Sequence, residues 1–492
     1  MIYHSTRGKQ ETADSKSAVL SGLCSDGGLF VSDSLGEKKL DPEALLPLSY
    51  QETALSVFSL LLDDYSGEEL RDAVKAAYGH TFSAEAVTPL TGIGEDWLLE
   101  LYHGPTAAFK DVALCMLPQL MAKALSGRDE RIMIVTATSG DTGKAALSGF
   151  RDVKDIGITV FYPEGGVSDI QSLQMRTQEG KNVAVCGIRG NFDDAQSAVK
   201  GIFASGLGSE LLERGIRLSS ANSINIGRLI PQIVYYFEAY KALRKNGRLR
   251  AGEAVDFCVP TGNFGDVLAG YYAKLLGLPI HKLMVASNEN RVLADFFADG
   301  VYDRRRSFHK TISPSMDILI SSNLERMLYY LSGGDTAYIA ALMDQLSRDG
   351  VYQVSPALLG RMQQIFCAGS ADEQETRAAI REAYEQDGRL IDPHTAVGYH
   401  VMKTHKTAGV PCVLLSTASP YKFCRDVYEA LFGKTLSGAD GFQYMEALRE
   451  KTGEPVPEPL SALCGKPVLH RDVIDVAEMA SYVRDKAVEK LG

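Results

Sequence analysis

The sequence is short of the features that would tie it to nucleic acid, membranes or metals. Lys and Arg number 51 against 62 Asp and Glu, a formal net charge of −11 at pH 7. That balance argues against a phosphate backbone as partner, because such binding draws its affinity from Lys and Arg. No run approaches the roughly 18 continuous apolar residues that a membrane helix needs. The opening MIYHSTRGKQETADSK has no apolar signal core. The eight cysteines (24, 115, 186, 258, 367, 412, 424 and 464) lie far apart, with no CxxC pair and no zinc-finger spacing, so no metal site is expected. Cys186, Cys258 and Cys412 sit inside apolar runs, as small buried hydrophobes do. Reduced thiols point to a reducing compartment, and the expectation is a cytoplasmic protein. There is no fixed-period repeat and no low-complexity tract.

What is present is a chain of 492 residues, 45% of them hydrophobic. That length suggests about three structural units, and the apolar content rules out whole-chain disorder. Residues 1–88 read as a mostly helical region, with helices over Tyr50–Leu62 and Gly67–Tyr78 after a Gly-rich opening. From Arg131 onward an apolar run, a small-residue loop and an amphipathic segment recur. Ile132–Thr136, Ile158–Tyr162, Val183–Cys186, Val255–Val259, Leu283–Ala286 and Cys412–Leu415 are the candidate strands. Strands alternating with helices predict βαβ units and an α/β fold with parallel sheets; the spread of units favours two sheets. The chain divides into 1–88, a large α/β domain of 89–111 and 231–437, a small one of 112–230, and an extension of 438–492. The extension reads as a Pro-, Gly- and Glu-rich surface connection ahead of a last short helix from Val473.

In open α/β sheets, ligands bind outside the carboxyl ends of the strands. The loops ATSGD, PTGNFGD and STASP all follow predicted strands, which makes one shared site the natural expectation. Lys110, in LYHGPTAAFKD, lies between Phe109 and the apolar Val112–Leu117. Most lysines are simply solvated, but an amine desolvated in such surroundings loses proton affinity and can form a Schiff base. TATSGDTGKAAL (136–147) invites a phosphate-loop reading that its spacing refutes, since Thr138 and Ala145 stand where Gly and Ser or Thr would be needed. What remains is a hydroxyl-rich helix start suited to an anion; a plain N-cap by Ser139 or Asp141 accounts for only one of its residues. PTGNFGD (260–266) could form a nest of backbone N–H groups, although Gly and Asn also dominate ordinary turns. SSANSINIGR (219–228) supplies Asn222, Ser223 and Arg228, the last suited to phosphate or equally a surface arginine after a capped helix start. The basic run DRRRSFHK (303–310) reads as a solvated loop. His103 and His394 read equally well as structural histidines.

Together these motifs resemble the threonine synthase family, pyridoxal-phosphate enzymes of fold type II, in the branch with a long N-terminal region. The resemblance runs through STRG, HGPTAAFKD, TATSGDTG, NSINIGRL, VPTGNFGDVLAG, DPHTAVGY and STASPYKF in the family's order. It implies a tryptophan-synthase-β-like fold, pyridoxal 5′-phosphate as cofactor and Lys110 as its Schiff-base lysine. Gly262, Asn263, Phe264, Gly265 and Asp266 would surround the cofactor phosphate, and Thr417 would lie beside the pyridine nitrogen. Asp141 stands where many relatives have Asn near the cofactor's 3′-oxygen. Thr138, Ser139, Thr142, Asn222, Ser223 and Arg228 match positions that hold the substrate's carboxylate or phosphate. The implied reaction turns O-phospho-L-homoserine and water into L-threonine and phosphate, in a monomer or homodimer with no nucleic-acid or membrane partner. The rivals are a serine/threonine dehydratase or phospho-amino-acid lyase of the same fold, and a catalytically silent relative. A dehydratase has no substrate phosphate for Asn222, Ser223 and Arg228 to hold, and a silent relative is free to lose its lysine.

Overall fold

A computed structural model describes all 492 residues, apart from the side chains of Asp193 and Ala204. Two parallel sheets organise it. The larger has six strands in the order Phe366–Ser370, Ile280–Ser287, Val255–Pro260, Cys412–Ser416, Asp96–Glu100 and Leu90–Ile93. All its pairings are parallel except the last, a hairpin. The smaller has five parallel strands, ordered Asp472–Asp475, Val183–Arg189, Ile156–Pro163, Arg131–Ala137 and Ile216–Ser219. Val255–Pro260 and Ile156–Pro163 are buried at every residue. Helices cover both faces of such a sheet, so an inner strand has no solvent side and reads as one apolar run.

The N-terminal helices form where expected, at Tyr50–Leu61 and Gly67–Tyr78, each started by a capping box (Ser49 with Glu52, Ser66 with Glu69). A capping box satisfies two otherwise orphaned backbone donors at once. This region is less purely helical than expected, because Tyr3–Ser5, Gly8–Ala13 and Phe30–Val31 form a three-stranded antiparallel sheet.

Residues 438–492 depart further from expectation. Gly441–Thr452 is a helix capped by Asp440 and Gln443 that buries Tyr444, Met445 and Leu448. Asp472–Asp475 is the edge strand of the smaller sheet, in register with Cys186–Arg189. The last helix therefore begins at Met479 and not at Val473. Four residues, none fully buried, carry too little pattern to read as a strand; the neighbouring strand's free edge decides their conformation. No described helix is long and apolar enough to cross a membrane.

Candidate active site

Five loops at the carboxyl ends of strands build the site. Asp96–Glu100 leads into the turn that ends at Lys110, first residue of the helix Lys110–Leu114. Arg131–Ala137 leads through Thr138–Gly140 to the helix Asp141–Phe150. Ile216–Ser219 leads to the 20-residue helix Ile226–Lys245, capped by Asn225. Val255–Pro260 leads to the helix Gly265–Leu275, and Cys412–Ser416 to Thr417 and the short turn Pro420–Phe423.

Lys110 is 7% exposed. Its Nζ lies 3.6 Å from Asp141 Oδ2, donates to Ser315 Oγ at 3.4 Å, and sits 4.4 Å from the centre of the Phe109 ring. Burial pulls this amine below the ordinary lysine value; Asp141 opposes that pull, and Lys422 and Arg228 add to it. A lysine so placed has more neutral, nucleophilic amine at neutral pH than one in solvent.

Asp141 is held from three sides. Lys422 Nζ pairs with its Oδ1 at 2.7 Å, and Gln171 Nε2 donates to the same oxygen at 2.8 Å, while Lys110 faces Oδ2. Burial favours the neutral acid, but Lys422 and Lys110 outweigh it and hold the carboxyl well below the usual carboxylate range. Gly140, at φ +135°, turns the chain into this helix; a Cβ there would lie 2.5 Å from the Gln171 side chain that braces Asp141. Only glycine combines that backbone with that contact.

The Gly262–Asp266 loop wraps back toward Lys110. A Cβ on Gly262 would meet the Ser315 carbonyl at 2.5 Å. Phe264, at φ +62°, caps the helix Gly265–Leu275 in the left-handed region, an uncommon conformation for a bulky residue. Asn323 Nδ2 ties this loop to its neighbour, donating to the Asn263 carbonyl at 3.1 Å and the Ser223 carbonyl at 3.2 Å. Asp266 takes the Tyr235 and Tyr236 hydroxyls on Oδ1, while its buried Oδ2 has no partner. Burial pushes its carboxyl up to about 6, against the two hydroxyls and the more distant Lys110.

Arg228 is the least compensated charge. Arg228 is 3% exposed and donates Nη1 to the Ala221 carbonyl at 2.9 Å; its Nε has no partner, and no carboxylate among the described residues pairs with it. Burial draws it down to about 10. Thr417 is buried beside Lys110, its carbonyl accepting the Phe109 N–H at 2.8 Å, and its Oγ1 has no partner.

Thr138, read as substrate-facing, has its Oγ1 under the turn, accepting the Gly140 and Gly143 N–H groups at 2.9 Å. Ser139, Thr142, Asn222 and Ser223 are partly exposed, and Ser223 Cβ comes within 3.5 Å of where a Cβ on Gly265 would stand.

Three contributors were given no role at the site by the sequence reading. Ser315 and Lys422 touch Lys110 and Asp141 directly. His394 accepts the Ser315 N–H at 3.1 Å on Nε2 and is oriented through Nδ1 by Asp392 at 2.7 Å. Asp392 also takes the Thr395 hydroxyl, which in turn accepts the Thr417 N–H at 3.2 Å. His394 thus underpins the site and is more than an isolated core histidine; Asp392, two residues before it, was the available signal. His103 instead pairs with Glu100 at 2.8 Å. A cavity of about 900 Å³ shares Pro105 and Ser419 with these loops but includes none of Lys110, Asp141 or Thr417. The buried polar atoms without partners on Arg228, Asp266 and Thr417 belong to the Lys110 side.

Three family models match in chain order: "Threonine synthase N terminus" over residues 2–78, "Pyridoxal-phosphate dependent enzyme" over 82–411, and "Threonine synthase, C-terminal" over 395–483. Threonine synthase from Pseudomonas aeruginosa is 39% identical over 438 residues, spanning 88% of this chain and 91% of its own. The chain belongs to the threonine synthase family of pyridoxal-phosphate dependent enzymes. Human threonine synthase-like 1 is 40% identical over 443 residues, and this chain spans only 59% of that protein's length. The crystal structure of pyridoxal-phosphate-bound threonine synthase from Brucella melitensis superposes with a TM-score of 0.87 at 38% identity, covering 99% of each chain. The yeast threonine synthase structure gives 0.86 at 34% identity, covering 100% of this chain and 98% of that one. Both superpositions extend over nearly the whole of this chain, its terminal regions included.

Proposed function

We propose that this protein is a threonine synthase that uses pyridoxal 5′-phosphate to convert O-phospho-L-homoserine and water into L-threonine and phosphate. As a class, it is a carbon–oxygen lyase acting on a phosphate ester. The observation that carries the reading is the buried guanidinium of Arg228, without a carboxylate partner among the described residues and with Nε unused, in the same site as the buried amine of Lys110. An uncompensated buried cation is costly and makes sense where an anion comes and goes. The dehydratase reading supplies a substrate carboxylate but no substrate phosphate.

The residues fit the cofactor. Lys110 offers a desolvated amine, and Thr417 Oγ1 and Asp266 Oδ2 are buried polar atoms without partners. Gly262 and Gly265 leave backbone N–H groups open to close approach. Lys110 would hold the cofactor, the Gly262–Asp266 loop its phosphate, and Thr417 the ring nitrogen. When bound, pyridoxal phosphate supplies an electron sink that stabilises negative charge on the substrate carbons.

The protein's own groups do the rest. With pyridoxal phosphate bound and the substrate's amine in place, Lys110 Nζ would take and return protons at Cα and the neighbouring carbons. Asp141 stays ionised beside it and keeps that amine oriented. Arg228, with the helix start at Asp141 and the hydroxyls of Ser139 and Thr142, holds the leaving phosphate in fixed dipoles that need no reorganisation. Asn222 and Ser223 hold the other end of the substrate. A hydroxyl such as Thr417, unlike a carboxylate, does not force a proton onto the ring nitrogen, which puts more weight on the phosphate-side donors. In balance, the Cγ–O bond to phosphate breaks, water adds its hydroxyl at Cβ, and Cγ ends as a methyl group. The dispersed cysteines suit a reducing compartment, so we place the reaction in the cytoplasm.

The test is incubation of the protein and its Lys110→Ala variant with O-phospho-L-homoserine and pyridoxal phosphate. Threonine is expected from the wild type and none from the variant. A 2-oxo acid in its place would move the protein to the eliminating lyases.

A further inference from the structure

Among the lysines at the site, Lys422 has no role in the reading above, yet it is the most deeply buried, at 0% exposure. It lies on the turn Pro420–Phe423, which follows the larger sheet's strand Cys412–Ser416. Its Nζ reaches Asp141 Oδ1 at 2.7 Å, on a helix of the smaller sheet, and donates to the Thr106 carbonyl at 2.9 Å, in the turn that carries Lys110. One ammonium therefore joins three segments that must stay in register for Lys110 to work. Asp141 stands between two lysines, Lys422 on Oδ1 and Lys110 on Oδ2 at 3.6 Å.

We infer that Lys422 is a positioning residue for Lys110: it holds the Asp141 carboxylate in place and takes up most of that carboxylate's charge, so that Lys110 is oriented by Asp141 without being locked to it as its only counter-ion. This rests on the reading of Lys110 as the lysine that binds the cofactor and moves protons. A lysine that must change protonation during turnover is a poor permanent partner for a buried carboxylate, because the carboxylate would be stranded each time the proton left. A second, fixed ammonium removes that conflict. The direction of the charge effects agrees, since Lys422 lowers the proton affinity of Lys110 while Asp141 raises it.

The other charges that bear on this cluster are few. Arg228 acts on Lys110 in the same direction as Lys422, and Lys110 is felt by Asp266 at longer range. His394 acts on Asp141, and Asp111 and Lys144 feel Lys422. None of these replaces an ammonium at 2.7 Å.

The test reads Lys110 directly and needs no cofactor: trace acylation of the full-length protein across pH, with the Lys110 peptide quantified by mass spectrometry. Lys422→Gln keeps an amide donor but removes the charge, and should raise the Lys110 midpoint by about one unit, a tenfold loss of neutral amine at a given pH. Lys422→Arg, which keeps the charge, should stay within about a third of a unit of the wild type. A folded Lys422→Gln protein with an unmoved midpoint, or an Arg variant that shifts as far as the Gln variant, would overturn the inference. Should Lys422→Gln not fold, the neutral pair Asp141→Asn/Lys422→Gln decides. Opposing losses leave its midpoint near wild type if Lys422 acts on Lys110, whereas a merely structural Lys422 predicts a fall of about one unit from the loss of Asp141 alone. Failure of the underlying reading shows separately, as no visible band with pyridoxal phosphate and no borohydride-trapped adduct on Lys110.

Discussion

Replacing Arg228 with Met should make the protein more stable and less able to do its chemistry. Burial draws the guanidinium from its ordinary value down to about 10, with no carboxylate among the described residues to compensate. That shift corresponds to about 3 kcal/mol against the charged form in the fold. The sign follows from linkage: a cation whose folded value is depressed carries its full penalty at every pH below that value, and so at pH 7. Arg228 also lies in the first turn of the helix Ile226–Lys245, where the dipole opposes a cation. Methionine fills a similar volume, and the loss is the charge-assisted hydrogen bond to the Ala221 carbonyl, about 2 kcal/mol. The net gain of roughly 1 kcal/mol should raise Tm by a degree or so, less per kcal/mol than in a small domain because Tm shifts shrink as chains lengthen. Inorganic phosphate should stabilise the wild type by mass action and the variant by clearly less, since only the weaker neutral donors remain. In kinetics, kcat/KM for the phosphorylated substrate should fall about 10²–10³-fold, as when one preorganised donor is removed from developing charge. Thermal melts with and without phosphate, beside steady-state kinetics, test this. A variant that melts several degrees lower, keeps the full phosphate response or retains near-normal kcat/KM would refute the reasoning.

Other substitutions follow from the same geometry. Thr417→Val keeps the side chain's shape and removes a hydroxyl with no partner in the protein, so Tm should hardly move while affinity for pyridoxal phosphate, read by absorbance titration, falls several-fold. Asp266→Asn should remove a pH dependence. Its carboxyl is raised from 3.8 to about 6 by burial, so it contributes stability that is lost as pH rises from about 4 to 6, amounting to about 3 kcal/mol. Denaturant titrations should then show the variant gaining on the wild type across that window, and equal pH profiles would contradict it. Gly140→Ala places a Cβ against Gln171 at a backbone angle that alanine resists. It should cost about 2 kcal/mol or more and most of the activity, measured by chemical denaturation and turnover.

The parts of the fold that sequence made legible are those where local pattern and tertiary demand agree. Val255–Pro260 is buried on both faces and therefore reads as an unbroken apolar run followed by a small-residue turn. The helices after Ser49 and Ser66 carry their start signals in the capping residues themselves. Asp472–Asp475 is the opposite case, a strand made by pairing with Cys186–Arg189 in a segment with no periodicity to betray it. The site divides the same way. Lys110, the Gly262–Asp266 loop and Thr417 follow strands of the larger sheet, so position alone recommends them. Lys422 meets Asp141 only because the two sheets pack together, and Ser315 reaches Lys110 from 205 residues along the chain within the larger domain. Thr138 shows the converse, a hydroxyl in a phosphate-like motif whose lone pairs go to its own turn.

The central claim is tested most directly by giving the purified protein O-phospho-L-homoserine with pyridoxal phosphate and measuring threonine and inorganic phosphate in the same samples. The account predicts equal amounts of the two, rising together and absent with Lys110→Ala. Phosphate accompanied by a 2-oxo acid, or no turnover by protein that visibly holds the cofactor, would contradict it.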